Sequence, residues 1–239
     1  MKIALDSRLE TPPLVDGRRF LGTIAVALAT GAAIGTATFL ALRSVADPTI
    51  TGQVITLEVY ACLVGSFVFA FRPAQNPPLS FRYTGANDLG LAFLTWLCIL
   101  ATAFVVYLAL TPITGNPLEA LRKILAVATD AKRLQGKPLL AWCVAIPRGC
   151  LLAPVFEELM FRSLLLDWLR NRFSNGRAII VSAVLFAVMH VYPIAMPYAF
   201  LAGLILGWLR LRTGSTVNTL FVHVLNNLLF LGLGLWLLK

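Results

Sequence analysis

Six polar side chains that could take part in catalysis lie within the apolar second half of this 239-residue sequence. Two glutamates and an arginine share one apolar run, whereas the only two histidines of the chain and an asparagine occupy two others: Glu157, Glu158, Arg162, His190, His223 and Asn227. An ionisable side chain inside a membrane costs roughly 2.5–3.5 kcal/mol on insertion scales and marks a functional site by default. These six residues are therefore the first candidates for a site.

Helical geometry separates the two glutamates. Glu158 and Arg162 are four residues apart, so their side chains project from one face of a helix in the favourable acid-first order. The side chain of Glu157 points about 100° away from that pair. We therefore expect Arg162 to neutralise Glu158 and to leave Glu157 as the carboxylate that acts as a general base or acid.

The candidate residues lie at similar distances along their helices from the basic turns, and so at a similar depth in the membrane. Glu157 and His190 each lie 13 residues from an arginine of the basic turn at 170–177, which is about 20 Å in a regular helix. His223 and Asn227 reach a similar depth from the next turn on that side of the bundle. The sequence therefore predicts that three helices converge on one polar site.

A carboxylate, a histidine and two hydrogen-bond donors are the groups needed for attack of water on a carbonyl. We expect Glu157 and His190 to hold and deprotonate the water, and His223 and Asn227 to stabilise the oxyanion. No serine or cysteine has the sequence context of an activated nucleophile, and there is no aspartate pair for an aspartic mechanism. Asp167 lies near the basic end of its helix, where we expect it to be solvated.

The composition identifies the kind of protein that positions these residues. Hydrophobic residues make up 59% of the chain and charged residues 13%, against about 25% charged in soluble domains. This excludes a soluble enzyme, a disordered regulator and a disulfide-stapled secreted domain. The net charge of +9 comes mainly from short basic segments between apolar runs, which indicates membrane lipids and not nucleic acid as a partner.

The pattern of apolar runs predicts an all-α, polytopic transmembrane helical bundle of about seven helices, within a range of six to eight. The uncharged run 178–209 is too long for one span, and its prolines divide it into two short helices. Segment 111–137 has the spacing of a basic amphipathic helix, either flat on the membrane surface or a linker helix. We divide the chain into an N-terminal part (1–137: an arm, three membrane helices and the linker) and a catalytic core (138–239), within one integral membrane domain.

Three motifs in the core resemble those of the CPBP family, the CAAX proteases and bacteriocin-processing enzymes, also called the ABI family. They are EExxxR at 157–162, FxxxH at 186–190 and HxxxN at 223–227, and the resemblance covers roughly residues 138–239. It implies an intramembrane glutamic endopeptidase without a required metal or other cofactor. One departure is Ser163, where family members commonly have glycine.

The resemblance also implies roles for the six residues. Glu157 and His190 would activate water, and His223 and Asn227 resemble the oxyanion side of the family's site. Glu158 and Arg162 would support that site. The implied partner is a peptide or protein substrate, without an implication that it is prenylated, and the short loops and small size suggest a bacterial inner membrane.

Two other functions fit the same residues. Glu157, His190 and His223 have the ligand types of a metal-dependent membrane hydrolase, although the sequence contains no HExxH motif. A transporter, immunity or scaffold protein could instead use the polar cluster as a proton or ligand site.

Overall fold

The computed structural model describes residues 17–44, 47–70, 85–129 and 131–238. It is 88% helical and has nine helices without a strand among those residues. The predicted all-α membrane bundle is thereby confirmed. Most of the predicted N-terminal arm, residues 1–16, lies outside the described residues.

The N-terminal part contains three long helices and two short ones. The long helices are α1 (Gly17–Leu42), α2 (Pro48–Ala70) and α3 (Ala86–Thr114). The short ones are α4 (Pro117–Ala128) and α5 (Ala131–Leu134).

The C-terminal part contains the four helices on which the motifs lie. They are α6 (Leu139–Arg170), α7 (Asn175–Met189), α8 (Met196–Thr213) and α9 (Thr216–Leu237). Among the described residues, five helices (α1, α2, α3, α6 and α9) are long and apolar enough to cross a membrane, by length and composition. The shorter α7 and α8 divide residues 178–209 as predicted, but neither is among these five candidate spans, so the predicted count of seven membrane helices stays a prediction.

Aromatic contacts join the N-terminal helices to the core. Phe67 of α2 packs between Phe20 of α1 and Phe156 of α6, with ring centroids 5.9 and 5.8 Å apart. Phe156 immediately precedes Glu157, so α1 and α2 support the turn of α6 that carries the first motif. Helices α7 and α8 pack more closely, since a Cβ atom on Gly203 of α8 would lie 3.1 Å from the main chain of Ala183 in α7.

Helix α4 has the predicted amphipathic spacing, but its apolar face packs against the bundle. Asn116 caps its N-terminus by accepting a hydrogen bond from the Glu119 amide at 2.8 Å, and Pro117 follows at the first helical position, where its missing N–H has no cost. Ile124 and Leu125 are buried. The helix thus forms one wall of the core, which the sequence could not distinguish from a surface location.

The segment from α4 to α5 is also tied to the end of α9. Arg122 Nε donates to the Leu237 carbonyl at 3.2 Å, and Gln135 Nε2 donates to the Leu238 carbonyl at 2.6 Å. The last carbonyls of a helix have no partner within that helix, so these bonds satisfy groups that would otherwise be unpaired.

Candidate active site

Glu158 and Arg162 form the predicted pair on α6. The guanidinium Nη1 lies 3.5 Å from the Glu158 Oε1 atom, and both side chains are only 1% exposed. None of the three guanidinium nitrogens has a hydrogen-bond partner among the described residues. Instead, the guanidinium carbon lies 4.2 Å from the ring centroid of Phe186, within the range of a cation–π interaction.

His223 of α9 lies between the two glutamates. Its Nδ1 atom is 2.8 Å from Glu158 Oε1, and its Nε2 atom is 3.6 Å from Glu157 Oε2. The sequence predicted the proximity of His223 to the glutamates but not this shared position, because its depth estimate says nothing about the direction of the ring. An oxyanion donor role therefore requires His223 Nε2 to turn from Glu157 towards the substrate.

The two glutamates have the different surroundings that helical geometry predicts. The Glu158 side chain is enclosed, whereas that of Glu157 is 22% exposed and borders a cavity. Glu157 is thus the carboxylate that a bound molecule can reach.

His190 follows the last residue of α7 and is held by its own helix. Its Nδ1 atom lies 2.8 Å from the Phe186 carbonyl oxygen, which can only accept, so Nδ1 carries the hydrogen and, in the neutral imidazole, Nε2 is an acceptor. The Phe186 ring also packs edge-on against the imidazole at 4.7 Å. Val191 adopts a φ of 60°, a strained conformation for a β-branched residue, so the chain turns sharply directly after His190.

Asn226 and Asn227 point to different partners. Tyr198 of α8 donates to Asn226 Oδ1 at 2.7 Å, which makes Asn226 the helix–helix contact that we would expect of a buried amide in a membrane bundle. Asn227 Nδ2 donates to the main-chain oxygen of Gly149 in α6 at 3.0 Å. An amide has two N–H donors, so one donor of Asn227 is engaged and a second is available.

A cavity of about 450 Å³ connects these residues. Four of the six predicted site residues line it: Glu157, His190, His223 and Asn227. Glu158 and Arg162 are buried behind its wall. The structure therefore brings the six residues together as two layers, and the roles assigned to them stay predictions.

The cavity also has residues that sequence reasoning did not place there. Arg148 of α6 lines it and donates through Nε to Gln53 of α2 at 2.7 Å. Tyr60 of α2 and Arg133 of α5 line it as well. A basic residue in an apolar run was a signal for Arg148, whereas Tyr60 has no sequence feature that distinguishes it from other residues of a span.

The expectation that Asp167 is solvated is wrong. It is 1% exposed, and its two oxygens lie 3.1 Å from Arg170 Nη1 and 3.3 Å from Arg210 Nη2. Arg210 belongs to α8, 43 residues further along the chain, so no local pattern around Asp167 predicts this partner.

A metal-dependent hydrolase would need about three side-chain ligands that meet at one point. Among the residues that the structure describes, no three histidine, cysteine, aspartate or glutamate side chains are grouped to hold one metal ion. The closest set consists of His223 and the two glutamates beside it, which are connected as hydrogen-bond and ion partners.

Comparison with known proteins agrees with the motifs. Residues 139–229 match the family model described as type II CAAX prenyl endopeptidase Rce1-like. No curated protein and no solved structure gives a significant match to the chain. The matched region contains all three motifs and four of the helices that surround the cavity. Over residues 139–229 this integral membrane protein is thus similar to the Rce1-like CAAX endopeptidases, and the resemblance that its motifs predict is confirmed.

Proposed function

We propose that the protein is an intramembrane endopeptidase that hydrolyses a peptide bond with water activated by Glu157 and His190. The observation that carries this proposal is the shared cavity, which Glu157 and His190 enter from different helices. The match to a family of CAAX endopeptidases supports the reaction class.

The geometry supports a division of labour for the first step. In the neutral imidazole of His190, Nε2 is an acceptor, because Nδ1 donates to the Phe186 carbonyl. It can therefore orient a water by accepting one of its hydrogens, while Glu157 takes the other proton as the water oxygen bonds to the carbonyl carbon. His190 is held by its bond to the Phe186 carbonyl, and Glu157 lies beside the buried His223, which limits the reorganisation needed when substrate binds.

Stabilisation of the oxyanion falls to Asn227 and His223. The second N–H of Asn227 is available to the developing negative charge. His223 Nδ1 and Nε2 face the carboxylates of Glu158 and Glu157, and in the form that carries a hydrogen on Nε2 His223 can donate to the oxyanion once Glu157 has taken up the proton. Glu157 then returns that proton to the leaving nitrogen as the carbon–nitrogen bond breaks, and the remaining water hydrogen stays on the new carboxylic acid.

The substrate class follows from the location. The cavity lies within a membrane bundle and has apolar walls that include Ile99, Leu206 and Phe230, so a peptide with apolar side chains fits it. We infer membrane-associated peptides or proteins as substrates and a bacterial inner membrane as the location.

The proposal is tested with the purified protein in liposomes and a library of peptides derived from a bacterial membrane proteome. New peptide termini are identified by mass spectrometry. We expect cleavage by the wild type and its loss in Glu157→Ala and His190→Ala. Glu58→Ala is the matched control, because Glu58 is also a membrane glutamate but bonds with Thr38 between α1 and α2 at 2.9 Å. Unchanged cleavage in both site variants would overturn the proposal.

The same preparation separates the other two functions. Stoichiometric zinc in protein with both histidines intact would favour the metal-dependent hydrolase. A Glu157→Ala variant that restores the phenotype of a gene deletion would favour a transporter, immunity or scaffold protein.

A further inference from the structure

The bond between Asn227 and Gly149 is unusual because a main-chain oxygen inside a helix normally accepts from its own helix. Gly149 lies in the middle of α6, yet the donor to its oxygen is a side chain of α9, 78 residues away, at 3.0 Å. The explanation lies in the local winding of α6.

Residues Arg148–Leu152 form a π-helical segment, in which each N–H donates to the oxygen five residues earlier. The N–H of Ala153 accordingly donates to the Arg148 oxygen. The next donor in this register would be residue 154, which would bond with Gly149. That residue is Pro154, which has no N–H. The Gly149 oxygen is therefore left without its helical donor, and Asn227 takes the place.

We propose that Pro154 is a positioning residue for Asn227. Because Pro154 has no N–H, the Gly149 oxygen remains free to accept from the carboxamide of Asn227. This bond fixes the carboxamide and directs its second N–H towards the cavity. Pro154 itself is buried beside the motif and does not line the cavity. The inference rests on the proposed function, in which that second N–H stabilises the oxyanion.

The test is Pro154→Ala, which restores an N–H at this position. Whether α6 keeps the π-helical register or becomes α-helical, a main-chain N–H then competes with Asn227 for the Gly149 oxygen. In protein labelled with ¹⁵N-asparagine, the Asn227 side-chain amide resonance is assigned from its absence in Asn227→Ala. We expect Pro154→Ala to shift that resonance towards the value of a free amide and to speed its hydrogen exchange.

The catalytic readout uses peptides cleaved in the library experiment. We expect kcat of Pro154→Ala to fall by about 10- to 100-fold, somewhat less than complete loss of an oxyanion donor, with KM little changed. The midpoint of thermal unfolding should stay at or above that of the wild type, because a proline leaves a helix interior. In an Asn227→Ala background, Pro154→Ala should have no further effect on kcat.

Two control variants separate this effect from general disturbance. Pro112→Ala removes the proline inside α3 and should change neither the Asn227 resonance nor kcat. Pro117→Ala changes a proline at the first helical position of α4, outside the cavity lining, and should behave like the wild type.

The outcomes distinguish this inference from the proposed function. An unshifted Asn227 resonance in Pro154→Ala overturns the inference, as does wild-type kcat in Pro154→Ala when Glu157→Ala is inactive. If the wild type cleaves no peptide, the proposed function fails, and the amide resonance alone decides whether Pro154 controls the Asn227 contact.

Discussion

Helix α6 carries two buried ion clusters that differ in how completely their polar atoms are paired. The cavity cluster consists of Glu157, Glu158, Arg162 and His223. The sealed cluster consists of Asp167, Arg170 and Arg210. In the sealed cluster both carboxylate oxygens have an arginine partner, and of its described atoms only Arg210 Nε is buried without a hydrogen-bond partner. None of the three residues borders the cavity.

The cavity cluster is paired less completely. One oxygen of each glutamate and all three guanidinium nitrogens have no hydrogen-bond partner among the described residues. Such groups are rare in folded proteins and need a specific explanation. Because this cluster borders the cavity and the sealed one does not, we infer that the first serves a bound molecule and the second serves the fold. Four predictions test that difference, and a fifth concerns an ion pair outside both clusters.

The largest effect is expected from Glu157→Gln, which removes the carboxylate base without a change in size. We expect cleavage to slow by about 10²- to 10⁴-fold, the usual contribution of a general base. The measurement is the rate of peptide cleavage in liposomes, with Glu58→Gln as the control. If the Glu157→Gln protein had wild-type activity, the cavity cluster, like the sealed one, would serve the fold and not the reaction.

Glu158→Gln should instead lower both the rate of cleavage and the free energy of unfolding. Without this carboxylate, the enclosed Arg162 guanidinium loses its closest counter-ion, and an unpaired buried charge costs about 3–5 kcal/mol. We expect the upper part of that range, read from denaturant unfolding in detergent. Equal stability of the Glu157→Gln and Glu158→Gln proteins would contradict the two-layer arrangement.

Asp167→Asn probes the sealed cluster. It leaves Arg170 and Arg210 without a buried carboxylate, so we expect destabilisation near the lower end of about 3–5 kcal/mol, since Arg170 retains a hydrogen bond to Asn175. The rate of cleavage per folded molecule should be unchanged. A specific loss of activity would show that this cluster also serves the reaction.

Two glycines of α8 allow a matched steric test, because only one of them lies next to the Phe186 ring that contacts the cavity cluster. A Cβ atom on Gly203 would lie 3.1 Å from Ala183 and 3.4 Å from the Phe186 ring, whereas one on Gly207 would lie 3.1 Å from Ile179. We expect each alanine variant to destabilise the protein by about 1–2 kcal/mol through overpacking. Only Gly203→Ala should slow cleavage, because Phe186 holds both Arg162 and His190. Equal activity of the two variants would show that Phe186 does not position Arg162 and His190 for the reaction.

The smallest effect is expected at an ion pair outside the spans. Lys137 Nζ lies 3.0 Å from Asp47 Oδ2, and the hydrogen bond from Lys137, assisted by the Thr49 amide, lowers the pKa of Asp47 below its ordinary value of 3.8. A lowered pKa in the folded state stabilises the fold above pH 3.8, and this contribution is lost as the pH falls through the folded-state pKa. The wild type and Asp47→Asn should therefore differ slightly in thermal midpoint at pH 7, and the difference should disappear as the pH falls through the folded-state pKa of Asp47. A difference that grows in acid would contradict this sign.

Much of the site was predictable from local patterns. The pairing of Glu158 with Arg162 follows from a four-residue spacing, and the exposure of Glu157 follows from the angle between successive residues of a helix. His190 and His223 line the same cavity as Glu157, a convergence that the depth estimate predicts because the rise of a helix per residue is nearly constant. Asp167 was misjudged because its partner Arg210 lies on another helix.

The amino-acid sequence by itself determined the membrane class, the helical architecture and the residues available for chemistry, since apolar length and helical period are local properties. Tertiary structure alone decided the rest: His223 lies between two glutamates, α4 packs on the core, and Asn227 bonds with the oxygen that Pro154 leaves unpaired. These features depend on the rotation and lateral packing of helices far apart in the chain. No spacing within one helix specifies how its faces meet another.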